Sequence, residues 1–332
     1  MDQRIADPWS LNEADYPARG TREEQLRFAL RYAVLAPSNR NSQPWTFTVR
    51  ADQISVHADP SRWQRVSDPH GHELHVSIGC ALENLLVALD HFGLGHVVTR
   101  SPGAPDGSIV AQVAILDRPT PAPFRPPTLF KALVARRTDH GGYRDLAVPL
   151  AAQRRFARCR DGEDLSLVLT DDPTIRLAVH ELMLEGEALG LSNRAYRDEL
   201  ARSIGAGDFG GNWLLTLAQQ LAVTHLGSRM ADVRGGAEAL HSSPLFGVIG
   251  APSASNAMYM RAGELLERVY LVAALQGLAL QPISQLVEAS AVKAQFAKLF
   301  RAAGVPLVAF RLGYGRAGGR PTPRRALEEV LL

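Results

Sequence analysis

Ala36-Pro37-Ser38-Asn39-Arg40-Asn41-Ser42-Gln43-Pro44-Trp45 cannot be ordinary helix or central strand, because two prolines, two serines and two asparagines fall within ten residues. The stretch follows a helical pattern and runs into a β-rich segment, Thr46–Val49. Backbone N–H groups left free in such a turn, together with Ser38, Asn39, Asn41 and Gln43, make a dense array of hydrogen-bonding groups. That array suits a flat polar heterocycle. It carries no net negative charge to hold a metal. The competing reading is a polar helix-to-strand loop without a ligand; loops are nonetheless frequent carriers of function.

Upstream, Thr21 and Glu24 form a capping-box pattern for a helix reaching about Leu35. Its apolar positions Leu26, Ala29, Leu30, Ala33 and Val34 follow the helical period, and Pro37 stops it. Downstream, strands read at 46–50 and 54–58, joined by Ala51-Asp52-Gln53. An apolar helix over about 73–92 follows, then strands at 96–100 and 109–116. Pro119, Pro121, Pro123, Pro126 and Pro127 read as a stiff linker. Beyond it come a short helix ending in Arg136-Arg137-Thr138, another helix, a strand at 165–169 and a long helix over 173–202. Residues 203–257 are rich in glycine and serine and read as an insertion. The helical period returns at 258–275, followed by a short strand near Leu280, a helix around 291–300 and a strand at 306–312.

Two of these helices resemble each other. Gly79-Cys80-Ala81-Leu82-Glu83 leads to Gly93-Leu94, and Gly263-Glu264-Leu265-Leu266-Glu267 leads to Gly277-Leu278 across the same interval. Each is followed by a short strand and later by an apolar strand. The physical reading is a duplicated unit, each half burying its apolar helix against the other.

The chain has 332 residues, which suggests about two domain-sized units. Hydrophobic residues make up 46% and charged residues 21%, an ordinary globular composition with material for a sizeable core. A net charge of +2 gives no electrostatic footprint for nucleic acid. The two cysteines, Cys80 and Cys159, lie far apart and fit a reducing compartment. No run of 18 apolar residues appears, and the first ten residues are too polar for a secretory signal. These features predict a soluble cytoplasmic protein.

Ala36–Trp45 resembles the Pro-Ser-x-x-Asn-x-Gln-Pro-Trp signature of the nitroreductase-like flavoproteins, in particular the longer Acg-type branch. The resemblance implies an α+β fold of antiparallel-rich sheets packed by helices, with two fused halves forming a pseudo-dimer. The expected halves are residues 1–120 and 121–332, the second carrying the insertion 203–257. Family members are usually homodimers with flavin sites at the subunit interface, so a chain holding both halves implies a monomer with its own site.

By resemblance, Ser38, Asn39 and Asn41 contact FMN, and Arg136, Arg137 and Thr138 correspond to the family's Arg-Arg-Ser phosphate clamp. His140 stands where another basic residue is usual, which weakens the clamp unless the imidazole is protonated. One or two of Arg311, Arg324 and Arg325 close on the same phosphate. Pro282-Ile283-Ser284-Gln285 resembles the turn whose backbone N–H faces the reactive nitrogen of the flavin, with Ser284 in place of glutamate. For each arginine pair the plain alternative is a solvated surface face. Only the first half has the Ser-Asn-Asn loop and only the second has Arg-Arg-Thr, so the resemblance implies one complete flavin site per chain.

The implied activity is hydride transfer from NAD(P)H through FMN to a small oxidised acceptor such as a nitroaromatic or quinone, which needs no protein nucleophile. The rival reading is a flavin-sequestering protein with a lid and little turnover. A third is an FMN-dependent dehydrogenase or oxidase acting on one biosynthetic substrate. Phe209 and Trp213, flat apolar side chains in a glycine-rich stretch, are the expected substrate gate. Gly205-x-Gly207-x-x-Gly210 follows a helix rather than a strand, which speaks against a dinucleotide fingerprint. His70, His72 and His75 lack metalloprotease spacing, so no metal is expected. No Gly-x-Ser-x-Gly elbow supports a hydrolase.

Overall fold

The computed structural model describes residues 7–101, 108–120, 122–205, 243–315 and 321–332. Thr21 caps α1 (Arg22–Ala33) in a complete capping box with Glu24. A short 3-10 turn at Asn39–Asn41 then leads into β1 (Trp45–Arg50). β2 (Gln53–Ala58), α2 (His72–His91), β3 (Gly95–Arg100) and β4 (Ile109–Leu116) complete the first unit. Its sheet is antiparallel throughout, in the order β1-β2-β4-β3.

α3 (Leu129–Leu133) and α4 (Leu150–Ala157) lead to β5 (Ser166–Thr170). Two further helices, α5 (Pro173–Ser192) and α6 (Arg194–Gly205), precede β6 (Leu245–Ala251). Then come α7 (Asn256–Leu275), β7 (Ala279–Pro282), α8 (Gln285–Glu288), α9 (Ser290–Leu299) and β8 (Val305–Gly313). The second sheet runs β5-β6-β8-β7, again antiparallel. The order matches the first sheet strand for strand. The irregularities match too: β2 shifts register between Val56 and His57, and β6 between Ile249 and Gly250, each two residues from the strand's end.

α2 and α7 are apolar on nearly every face and are buried accordingly. They cross where both carry glycine. A Cβ on Gly79 would overlap the Met260 carbonyl, and one on Gly263 would overlap the Val76 carbonyl. Each glycine thus meets the residue three positions before the other, as two copies of one helix do about a two-fold axis. The repeat read from the glycine spacing is therefore present in the folded chain.

Three boundaries differ from the sequence expectation. First, the stretch 203–257 contains β6, a fully buried strand central to the second sheet. Leu-Phe-Gly-Val-Ile-Gly-Ala reads poorly as a strand because burial on both faces removes the alternation and two glycines weaken the propensity. The segment inserted relative to the first half's tight β1–β2 turn is 171–244, and it includes α5 and α6. Second, the expected helix 173–202 breaks at Asn193, whose side chain accepts bonds from the N–H groups of Ala195 and Tyr196 and so caps α6. Third, the tail returns to the first half. Phe47 N–H donates to Val330 O at 2.7 Å and Leu332 N–H to Phe47 O at 2.9 Å, which adds a parallel edge to β1. Among the described residues, no helix is long and apolar enough to cross a membrane.

Candidate active site

The Ala36–Trp45 loop is held by its own polar groups. Ser38 Oγ accepts the Gln43 N–H at 2.9 Å, and Ser77 Oγ accepts the Asn39 N–H at 3.1 Å. Arg40, Asn41 and Gln43 have φ of 48°, 56° and 49°, the left-handed region that L-residues seldom occupy. Such strain persists where surrounding contacts over-determine it, and it concentrates at functional sites. The contacts here come from the tail. Asn41 donates to Pro323 O at 2.9 Å and accepts from Arg324 Nη1 at 2.7 Å, and Gln43 Oε1 accepts the Arg325 N–H at 2.7 Å.

Three guanidinium groups converge beside this loop. Arg136 is 1% exposed, so the surface alternative is excluded for it. Its Nη2 donates to Leu35 O at 3.1 Å, and Arg324 donates to the same carbonyl from Nε at 3.3 Å and Nη2 at 3.2 Å. Arg137 bonds the carbonyls of Val134 and Arg136. Trp9 lies against both Arg137 and Arg324, with ring-centroid distances of 4.1 and 5.0 Å, and its indole N–H donates to Thr322 O. Burial, reinforced by Arg136, brings Arg324 down to about 9. Burial and Arg136 lower Arg137 as well.

One carboxyl faces this group. Glu267 Oε1 is 3.3 Å from Arg136 Nε without hydrogen-bond geometry, and burial, opposed by Arg136, pushes Glu267 up to about 7. Arg136 Nε and Nη1 are buried and make no hydrogen bond. Three guanidinium groups thus stand against one reluctant carboxyl, and Arg136 Nη1 is buried without a hydrogen bond.

Thr138 continues the site. It forms a parallel bridge to Leu280, and Tyr270 OH lies 2.7 Å from both Thr138 Oγ1 and Leu280 O. His140 Nδ1 is 2.9 Å from Gln281 Nε2. Desolvation and then Arg311 lower the His140 pKa, although the residue itself is exposed at the surface.

Two predicted clamp arginines lie elsewhere. Arg311 is fully buried, donates to Gln281 Oε1 at 2.6 Å and Gly141 O at 2.8 Å, and stacks on Tyr143. Arg325 points its guanidinium at Asp59 and Glu329. Of the three tail candidates, Arg324 alone is brought against Arg136. Pro282 ends β7, while Ile283 spends its N–H on Ala309 O at 2.8 Å and its side chain in the core beside Leu286 and Val287. Ile283 is a packing residue whose backbone N–H is already engaged. Phe209 and Trp213 lie outside the described residues.

Sequence reading missed Trp9, Glu267, Tyr270 and Glu73. Glu73 is buried on α2. Burial first, then Glu288 and Asp68, raise it from its ordinary 4.5 to about 8. An acid held protonated by the fold contributes stability that is complete below its unfolded pKa and is lost as pH rises through the folded one. Glu73→Gln should therefore be about as stable as the parent near pH 4.5 and more stable at pH 9. Urea midpoints across that range test this, and a constant difference between the two proteins would exclude it.

No known protein-family profile matches the chain. Curated relatives do. A putative NAD(P)H nitroreductase of Mycobacterium tuberculosis is 29% identical over 93% of this chain and 91% of its own length. The putative NAD(P)H nitroreductase acg of the same organism is 26% identical over 92% and 94%. The chain is similar over most of its length to the Acg-type nitroreductase-like proteins. The probable NAD(P)H nitroreductase PigM of a Serratia species is 25% identical over 94% of each chain. Among solved structures, the FMN-dependent nitroreductase NfnB of Mycobacterium smegmatis in complex with NADPH aligns at 16% identity with a TM-score of 0.38, covering 61% of this chain and 96% of that one. This Acg-type resemblance matches what the loop and the paired helices imply from the sequence.

Proposed function

We propose that the chain is an FMN-dependent oxidoreductase taking hydride from NAD(P)H and passing it to a small oxidised acceptor of the nitroaromatic or quinone type. The observation that carries this reading is that Arg136 and Arg324 meet on Leu35 O beside the signature loop, Arg137 shares the Trp9 ring with Arg324, and Arg136 Nη1 is buried without a hydrogen bond. The names of the relatives support it. FMN, when bound, supplies the hydride chemistry. Arg136, Arg137 and Arg324 take its phosphate, Thr138 lies beside them, and the Ser38–Asn41 loop and the Pro282–Ser284 turn bound the space for its ring. The loop belongs to the first half and the arginines to the second half and tail. One chain, a pseudo-dimer of residues 1–120 and 121–332, thus completes one site as a cytoplasmic monomer.

One FMN per chain is the expected stoichiometry, because a single set of these residues exists. Flavin absorbance against protein concentration measures it, and two per chain would sink the single-site reading. Anaerobic addition of NADPH or NADH should then bleach the flavin band.

The second reading, a flavin-holding protein with little turnover, draws on α6. Glu199 accepts from Val66 N, Ser67 N and Ser67 Oγ at 2.9, 3.0 and 2.7 Å and lies 3.4 Å from Arg40. The insertion is thereby fastened onto the signature loop. A bound flavin that neither nucleotide reduces favours this reading over the first.

A further inference from the structure

Asp68, His72 and Glu288 bring three ligand atoms within 4.8 Å of one another. Asp68 lies in the loop before α2, His72 is the first residue of α2, and Glu288 is the last of α8. Two of the three thus belong to the first half and one to the second. The Glu288 side chain is only 9% exposed, and its Oε1 is buried without a hydrogen bond. His72 Nδ1, 3.3 Å away, is also buried and unbonded. A protonated imidazole would aim an N–H at that oxygen, and no such bond is made. With its proton on Nε2, the ring presents a lone pair at Nδ1 instead, and two lone pairs face each other comfortably only across a cation. Asp68 is 1% exposed, and among the described residues no arginine or lysine forms an ion pair with Asp68 or Glu288.

Neighbouring contacts hold each ligand in place. Asp68 accepts the N–H groups of His72 and Leu74 at 2.7 and 2.9 Å, and the Trp63 indole donates to its main-chain carbonyl at 2.7 Å. The His72 ring stacks on Tyr259 of α7 at 4.1 Å. Leu286 and Val287, buried in the second core, seat α8. Supporting contacts of this kind fix ligand direction before an ion arrives.

We propose that Asp68, His72 and Glu288 form a site for a zinc-type divalent cation that ties the two halves together. One imidazole nitrogen and two carboxylate oxygens belong to the zinc donor set, whereas Mg2+ and Ca2+ favour oxygen alone. Two carboxylates balance the charge of a dication. Ligands about 2.1 Å from a tetrahedral ion lie about 3.4 Å apart. His72 Nδ1 and Glu288 Oε1 already stand at that spacing. The full set has to close by at most about 1.4 Å. His72 keeps 19% of its side chain exposed, which leaves a solvent-facing edge for a water as fourth ligand.

His70 and His75 stay outside the set. His70 is exposed, and His75 Nδ1 lies 2.6 Å from Gly71 O. Spacing among the histidines could not reveal the site, because two of its ligands are carboxylates and one lies far along the chain. The cation also offsets the repulsion that Glu288 and Asp68 exert on Glu73, so the Glu73→Gln comparison belongs to chelator-treated protein.

The full chain, stripped with EDTA and dialysed, is titrated with Zn2+ by calorimetry, and bound zinc is counted by elemental analysis. One Zn2+ per chain should bind, and saturating zinc should raise the thermal midpoint by a few degrees. Mg2+ should do neither. His72→Ala and Glu288→Gln should each weaken zinc binding about a hundredfold and lose the thermal shift. His70→Ala should keep both. Glu288→Gln preserves the side chain's shape, and its zinc-free melting transition shows that it folds. Failure of the parent to take up one zinc, unchanged binding in either ligand variant, or an equal loss in His70→Ala overturns the site. The titration needs no flavin, so its failure leaves the FMN reading standing.

Discussion

Glu83→Ala should cost about 3–5 kcal/mol of folding stability, the range for removing one partner from a buried ionic group. Glu83 is fully buried in the middle of α2. Its Oε1 accepts from Arg125 Nε at 2.8 Å and its Oε2 from Arg268 Nη1 at 2.7 Å. Arg268, on α7, is itself fully buried and bonds Cys159 O at 2.7 Å, and Phe124 lies against both guanidinium groups. Burial works against the charge on Arg125, yet Glu83 and Asp90 more than compensate and hold its pKa above the ordinary arginine value. Deleting the carboxylate leaves two cations in the crossing between the repeated helices. Asp90 stays 2.7 Å from Arg125 Nη1 and Asp161 3.5 Å from Arg268 Nη2, but both are partly exposed, and neither replaces the fully buried carboxylate between the two cations. Guanidinium denaturation should show the loss as a lower midpoint. The partly exposed Arg27–Glu23 pair provides the contrast, since Arg27→Ala should cost under ~1 kcal/mol. Similar losses for the two variants would mean that the Glu83 cluster does not fasten the halves together.

That cluster shows which part of the molecule was legible. Gly79 and Gly263, with their apolar surroundings, announced two equivalent helices, and the packed pair follows from close approach at those glycines. Glu83 and Glu267 occupy matching places in the repeat, and each is a charge inside a helix that is apolar all round. Charged residues are seldom fully buried without a partner, so both were signals of a buried arginine. Which arginine could not be read. Glu83 meets Arg268 across the helix crossing and Arg125 from the proline-rich linker, whereas Glu267 meets Arg136 beside the signature loop. The signature loop was legible as a polar turn but not in its use of polar groups. Asn41 and Gln43 bind the returning tail, and that depends on left-handed backbone at Arg40, Asn41 and Gln43 that no residue there announces. The same return separates Arg324 from Arg325, adjacent in sequence and opposed in direction. Trp9 was hidden for a related reason, because its partners lie far along the chain.

Arg324→Ala should weaken FMN binding about ten- to a hundredfold and leave riboflavin nearly unaffected. A hydrogen bond to a charged group contributes about 1.5–3 kcal/mol, and each 1.4 kcal/mol is tenfold in affinity. Arg324 suits the test because its folded role is modest. It bonds Leu35 O, Asn41 Oδ1 and Thr322, all at the end of a tail that Phe47, Val330 and Leu332 anchor independently. Burial beside Arg136 already penalises its charge, and an arriving phosphate relieves that penalty. Arg136→Ala should have at least as large an effect on FMN. It also leaves Glu267 alone in the interior, where a carboxyl already pushed up to about 7 can take a proton rather than remain ionised. The two losses should not add, since the groups share Leu35 O and one ligand. Arg325→Ala is the internal control: its guanidinium faces Asp59 and Glu329, so FMN affinity should stay within about twofold. Titration of the flavin-free protein with FMN and with riboflavin, followed by flavin fluorescence, separates the cases. Equal losses for both ligands in Arg324→Ala would place the phosphate elsewhere. A large loss in Arg325→Ala would mean that the tail turns over when FMN binds.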